Sequence, residues 1–175
     1  MDFQILKRTV VFKGRAFDMQ QVELGMPDGR ARVYDLVDHH DSISLVPVTD
    51  DGQVLFVRQF RLGALSQMLE LPAGVLEPGE APEEGAPREL REETGMAARQ
   101  IQRLGEFYLA SGYVNEKMTA YLATGLYPAP LKADDDEFLA LVSLPLQEAY
   151  RMAESGEIPD SKTLAALLLA RKFLL

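Results

Sequence analysis

The 175-residue chain has no cysteine and only two histidines, His39 and His40. Without thiols it can form neither disulfides nor thiolate metal centres, so any metal it binds must be held by oxygen or by that histidine pair. Positive charge is also scarce: 18 lysines and arginines stand against 27 aspartates and glutamates, a formal net charge of −9. General nucleic-acid binding needs a basic footprint that this balance argues against. A small anionic substrate would instead need a metal or local arginines to hold it. No apolar run reaches the roughly 18 residues that mark a membrane-spanning helix. The opening stretch, MDFQILKRTVVFKGRAF, alternates charged and apolar residues where a signal peptide would carry an unbroken apolar core. The expectation is a cytoplasmic protein with neither a membrane nor a nucleic acid as partner.

What is present is ordinary for a soluble globular chain, 47% hydrophobic and 26% charged residues in about one domain's length. Residues 3–13, 16–25 and 31–37 read as strands, turning at Gly14-Arg15 and at Pro27-Asp28-Gly29. They predict a small antiparallel meander over residues 1–40, too poor in apolar residues to stand alone, which must pack on the rest of the chain or on another subunit. Ser44–Val48 and Val54–Phe60 predict a buried hairpin around Asp50-Asp51-Gly52. Residues 101–109 and 117–123 predict two more strands around the loop from Ala110 to Asn115, and Phe138–Leu144 a last one. Helices are expected over 145–155 and 161–174, the second capped by Asp160 or Ser161. His39 and His40, in DHHD, read as a polar strand end before they read as metal ligands. The acidic run Asp134-Asp135-Asp136-Glu137 reads as a solvated loop, or, if it faces a metal site, as a source of a base or ligand.

The most informative stretch is GVLEPGEAPEEGAPRELREETGM, Gly74 to Met96. A glycine-bearing loop leads into a helical segment that stops at Gly95, a residue suited to the left-handed position after a helix. On that helix Glu89, Glu92 and Glu93 fall three and four positions apart, on neighbouring sites of one face. Such a face is either solvated, with Arg88 and Arg91 balancing it, or a site for a hard cation such as magnesium, which prefers carboxylate oxygens. The flanks favour the second reading, because a solvated face has no need of the loop from Gly74 to Gly79 or of Glu80 and Arg88 at their positions. Upstream, Arg58 and Arg61 are candidate phosphate contacts in a chain so acidic.

Gly74, Glu80 and the run Arg88-Glu89-Leu90-Arg91-Glu92-Glu93-Thr94-Gly95 match the Nudix box at every fixed position, so the chain resembles the Nudix hydrolases. The preceding LELPAG (69–74), the acidic loop and the closing LPLQEAYRMAESGEI segment resemble the ADP-ribose pyrophosphatase subgroup. Gly85 and Pro87 depart from the helix-favouring residues usual in the box. They predict a helix that begins late, near Pro87, or is kinked in its first turns.

The resemblance implies an α/β fold, a Nudix α/β/α sandwich with a mixed sheet over residues 41–175, plus the N-terminal β-meander of 1–40 as a dimerisation subdomain. It implies hydrolysis of a nucleoside diphosphate derivative with Mg2+, or Mn2+ in its place. Glu89, Glu93 and Glu92 are then the metal ligands, joined by the carbonyl of Ala73, with Arg88 orienting the glutamates. The base is expected at Glu137 or Asp135, with Glu92 or Glu93 as alternatives. Arg61 would bind the diphosphate, with Arg58 beside it in sequence, and Ser111 and Gly112 would line the substrate. ADP-ribose, cut to AMP and ribose 5-phosphate, is the first substrate. Nucleotide sugars (GDP-mannose, UDP-sugars) and FAD follow, because Ser111-Gly112 replaces the Ser-Pro-Gly of ADP-ribose enzymes. The alternative of another class is a regulator that binds a nucleotide without turnover. A homodimer is expected.

Overall fold

The computed structural model describes residues 2–132 and 138–175. The chain divides into two compact units, Met1–Asp41 with Tyr108–Lys117, and Ser42–Phe107 with Met118–Leu175. The segment 108–117, expected to belong with the second unit, joins the first instead.

The first unit is an antiparallel sheet of β1 (Gln4–Lys13), β2 (Asp18–Gly25) and β3 (Ala31–Asp38), in that order. Its second turn closes where Gly29 donates to the Met26 carbonyl at 2.9 Å, with Gly29 at φ 83°, a conformation glycine adopts at little steric cost. Every residue of β1 is exposed. The loop at 110–116 is fixed to the end of β3: Val37 donates to the Tyr113 carbonyl at 2.8 Å, and the Asn115 side chain accepts from His39 N–H at 2.8 Å and donates to Asp38 at 2.5 Å. His39 Nδ1 lies 2.6 Å from the His40 carbonyl and 3.8 Å from Glu116. The histidine pair is therefore part of a polar strand end.

The second unit is built on a seven-stranded mixed sheet. Its strands are β4 (Ser42–Val48), β5 (Gln53–Arg61), β6 (Ser66–Glu70), β7 (Ala73–Val75), β8 (Met96–Tyr108), β9 (Lys117–Pro128) and β10 (Ala140–Pro145). The order is β10-β5-β4-β9-β8, with β6 beside β5 and β7 beside β4. β4 runs parallel to β9 along its whole length, Ser42 opposite Met118 through Val48 opposite Thr124. Successive side chains of a strand point to opposite faces, and the core divides accordingly. Ile43 and Leu45 of β4, with Tyr121 and Ala123 of β9, pack with Ala86 and Leu90 of α1 (Pro82–Thr94). Val46 and Val48, with Ala120 and Leu122, pack with Ala149 and Tyr150 of α2 (Leu146–Ser155) and Ala166, Leu167 and Ala170 of α3 (Ser161–Leu174). Helices on both faces make this the α/β sandwich that the sequence implied.

Two local expectations need correction. β4 and β5 are not an extended hairpin: they pair only at Val48 opposite Val54, because β7 occupies the first half of the same edge, Ser42 opposite Val75 through Ser44 opposite Ala73. The box helix does not begin late; it runs from Pro82 and carries Pro87 inside it. Pro82 sits at the first helical position, where a missing N–H costs nothing. The Ala81 carbonyl accepts from Glu84 and Gly85 at 2.9 and 3.0 Å, and the Glu84 carboxylate accepts from Ala81 N–H at 3.1 Å. These contacts form the first turn upstream of the bond that Pro87 removes. The glycine at 85 is explained by packing, since a Cβ there would lie 2.5 Å from the Leu76 side chain.

Candidate active site

The stretch from Glu70 to Gly74 organises the site. Leu71 N–H donates to Thr163 Oγ1 at the start of α3, 2.9 Å, and the Pro72 carbonyl accepts from Leu45 of β4, 2.9 Å. Ala73 N–H donates to the Glu93 carboxylate at 2.9 Å. At Gly74 a Cβ would stand 2.0 Å from the carboxyl carbon of Glu89, so only glycine lets that side chain lie against the backbone. α1 packs on β4 and β7. Its Glu89 and Glu93, one turn apart, are thereby buried, 7% and 8% exposed. Burying two like charges on one face is unfavourable unless something answers them.

Arg88 supplies part of the answer. Its Nε and Nη2 grip both oxygens of Glu80 at 2.8 Å each, and its Nη1 reaches Glu89 at 2.7 Å and Glu92 at 2.9 Å. The Glu80 bond, ahead of the charge of Glu89, raises the Arg88 pKa against the opposing effect of burial. The same bond holds the Glu80 carboxyl below its ordinary 4.5. Glu80 also accepts from Glu77 N–H at 2.9 Å, so the loop before α1 is tied to the guanidinium that orients the glutamates. Gly95, at φ 71°, ends the helix in the left-handed conformation expected of it.

Arg61, at the end of β5, forks onto Glu70: Nε lies 2.9 Å from Oε1 and Nη2 2.7 Å from Oε2. The hydrogen bond that Arg61 donates to Glu70 raises the Arg61 pKa first, and Glu93 adds a smaller electrostatic contribution, which puts Arg61 within electrostatic reach of Glu93. Arg58 is exposed. Three residues apart on one strand, it and Arg61 face opposite sides, so the structure does not bring the two arginines together. Ser111 and Gly112 occupy an exposed turn of the first unit. Asp135 and Glu137 lie outside the described residues.

Glu70 and Lys162 carry no role in the sequence reading, yet Glu70 is fully buried and Lys162 nearly so. A lone carboxylate inside the apolar run Met68–Leu71 is the signal that marks a buried partner. Among the described residues no three acidic or histidine side chains form a ready-made metal cage. The fit is of another kind. Two buried carboxylates, one seated in the cradle that Gly74 leaves open and one on a backbone N–H, present the hard oxygen donors a magnesium ion takes.

The NUDIX domain family model matches residues 38–167. The chain belongs to the Nudix family. As a Nudix pyrophosphohydrolase it is 33% identical to the ADP-ribose pyrophosphatase of Bacillus subtilis (strain 168) over 169 residues, 95% of this chain and 91% of the relative. It is 34% identical to the methanol dehydrogenase activator of Bacillus methanolicus over 164 residues, 93% of this chain and 89% of the relative. A crystal structure of ADP compounds hydrolase superimposes with a TM-score of 0.87 at 30% identity, covering 99% of this chain and 95% of the other. No helix among the described residues is long and apolar enough to cross a membrane.

Proposed function

We propose that this Nudix protein hydrolyses ADP-ribose to AMP and ribose 5-phosphate with magnesium. The observation that carries the reading is the pair of buried carboxylates, Glu89 and Glu93, held against the backbone at Gly74 and Ala73 with the Arg61 guanidinium in electrostatic reach. Glu89, Glu93 and Glu92 would hold the metal with the Ala73 carbonyl. Bound there, magnesium would supply neutralising charge for the phosphate oxygens and would lower the pKa of water at the site. The chain's own residues do the rest. Arg61 binds the diphosphate through the edge of its guanidinium that Glu70 leaves open, and Arg88 keeps Glu89 and Glu92 in register. A carboxylate of the 134–137 run, Glu137 or Asp135, takes the proton from the attacking water.

The same reading makes the protein a homodimer joined through the first unit. β1 exposes Ile5, Leu6, Val10, Val11 and Phe12, apolar side chains on an edge strand that invites a partner. A second copy of this chain covers it, in a self-complementary two-fold contact.

The test is a hydrolysis panel with magnesium over ADP-ribose, GDP-mannose, UDP-glucose and FAD. ADP-ribose is expected to lead in kcat/KM by about tenfold, a gap of roughly 1.4 kcal/mol. A lead for GDP-mannose would overturn the substrate. Binding of ADP-ribose without any turnover would favour the regulatory reading, which the name of the Bacillus methanolicus relative supports.

A further inference from the structure

Lys162 stands in an unfavourable place. It is the second residue of α3, at the positive end of the helix macrodipole, and it is buried at 8% exposure. A lysine chosen for helix stability would sit at the other end, in solvent. Its Nζ instead lies 2.5 Å from Glu70 Oε2 and 2.9 Å from Asp160 Oδ2. Asp160 is itself occupied as the cap of α3, accepting from Thr163 N–H at 3.0 Å and Oγ1 at 2.6 Å. Glu70 is fully buried and shares its two oxygens between Lys162 and the Arg61 fork. Burial pushes the Glu70 carboxyl up, but Arg61 and Lys162 outweigh it and hold the group below its ordinary 4.5, charged at neutral pH. Arg61, by contrast, keeps 41% of its side chain exposed, and among the described residues its Nη1 has no hydrogen-bond partner. Glu70 holds the Nε and Nη2 edge of the guanidinium and leaves Nη1 without a carboxylate.

We propose that Lys162 and Glu70 are positioning residues: Lys162 fixes the buried Glu70, and Glu70 fixes Arg61 so that its free edge is presented to a diphosphate. The proposal rests on the reading of Arg61 as a diphosphate contact. A buried carboxylate with one cation would swing to whatever donor lies nearest, whereas two cations approaching from different elements, β5 and α3, leave it a single orientation. The fork is then preorganised, and less rotamer freedom is lost when substrate binds.

A double-mutant cycle on the full-length protein decides it. Arg61→Ala should raise KM for ADP-ribose by about a hundredfold and Lys162→Met by about tenfold, with kcat in the Lys162 variant changed by no more than about twofold. In the double variant Lys162→Met should add nothing to Arg61→Ala, because it acts only through that arginine. Lys162→Arg should restore most of the affinity, and Glu70→Gln, which keeps the volume and one acceptor, should show the same non-additivity. A folded Lys162→Met with unchanged KM, or effects that multiply, would overturn the proposal. Should the Lys162 and Glu70 variants fail to fold, the wild-type protein still reports: the Arg61 Nε–H resonance, identified by its loss in Arg61→Lys, must be visible and slow to exchange at pH 7. Rapid exchange of that proton sinks the idea. That signal does not depend on turnover, so an inactive protein with a protected Arg61 would refute the functional reading and leave the locked arginine standing.

Discussion

β1 and β4 are both rich in branched apolar residues, and they have opposite fates. Every residue of β1, QILKRTVVFK, is exposed; every residue of β4, SISLVPV, is buried. β1 carries Lys7, Arg8 and Lys13 where β4 carries no charge, and position separates them further. β4 pairs with β9 on one edge and with β7 and β5 on the other, with helices over both faces. β1 is an edge strand paired only with β2. A buried internal strand gives a rigid platform for chemistry, and an open apolar edge strand invites association.

The comparison is tested most severely where β4 reaches the chemistry, through β7. Glu93→Gln should remove turnover with magnesium by at least about a hundredfold, while the metal-free melting temperature stays the same or rises, because a crowded carboxylate becomes neutral. An active variant, or one that simply unfolds, would break the link between platform and chemistry. Next in size, Leu45→Ala in β4 should cost about 2–5 kcal/mol of stability by denaturant titration. Val11→Ala in β1 should stay within about 0.5 kcal/mol for the isolated subunit; equal costs would mean that β1 is not the open surface described.

A third test addresses that surface directly. Val11→Glu should convert the proposed dimer to a monomer in light scattering at micromolar concentration, and a wild-type protein already monomeric under those conditions would remove that proposal altogether. The smallest effect concerns Glu80. Its folded pKa is depressed, so the stability it lends is present above its ordinary 4.5 and is lost as pH falls through the lower folded value. Wild type should exceed Glu80→Gln by about 1 kcal/mol at pH 7, with the two unfolding curves converging in acid. A gap that persists at low pH would assign the difference to shape, not charge.

β4 and the box helix were legible because each follows one period: a branched apolar run for the strand, glutamates three and four apart for the helix. β6 and β7 were not. Ala73 to Val75 is too short to show alternation and reads as loop, and it becomes a strand only because Ser42–Ser44, some thirty positions earlier, offers it an edge. Pro87 argued for a late helix start, and the local preference lost to the first-turn bonds at Ala81. The segment 108–117 looked like a loop of the second unit, since nothing in its residues announces that Asn115 will bond to Asp38 and His39. In the site, Glu89, Glu93 and Arg88 could be named from spacing. Lys162 could not, since a lysine near a helix start reads as solvent-exposed until its long-range partner is known.

That partner is also a matter of timing. Glu70 and Lys162 are 92 positions apart, and Lys162 belongs to α3. During synthesis Arg61, Glu70 and the whole box emerge well before α3. Until α3 leaves the ribosome, Glu70 lacks one of its two cations and Leu71 lacks the Thr163 hydroxyl that holds its N–H. The nascent protein thus carries every residue of its box before α3 supplies the second cation of Glu70.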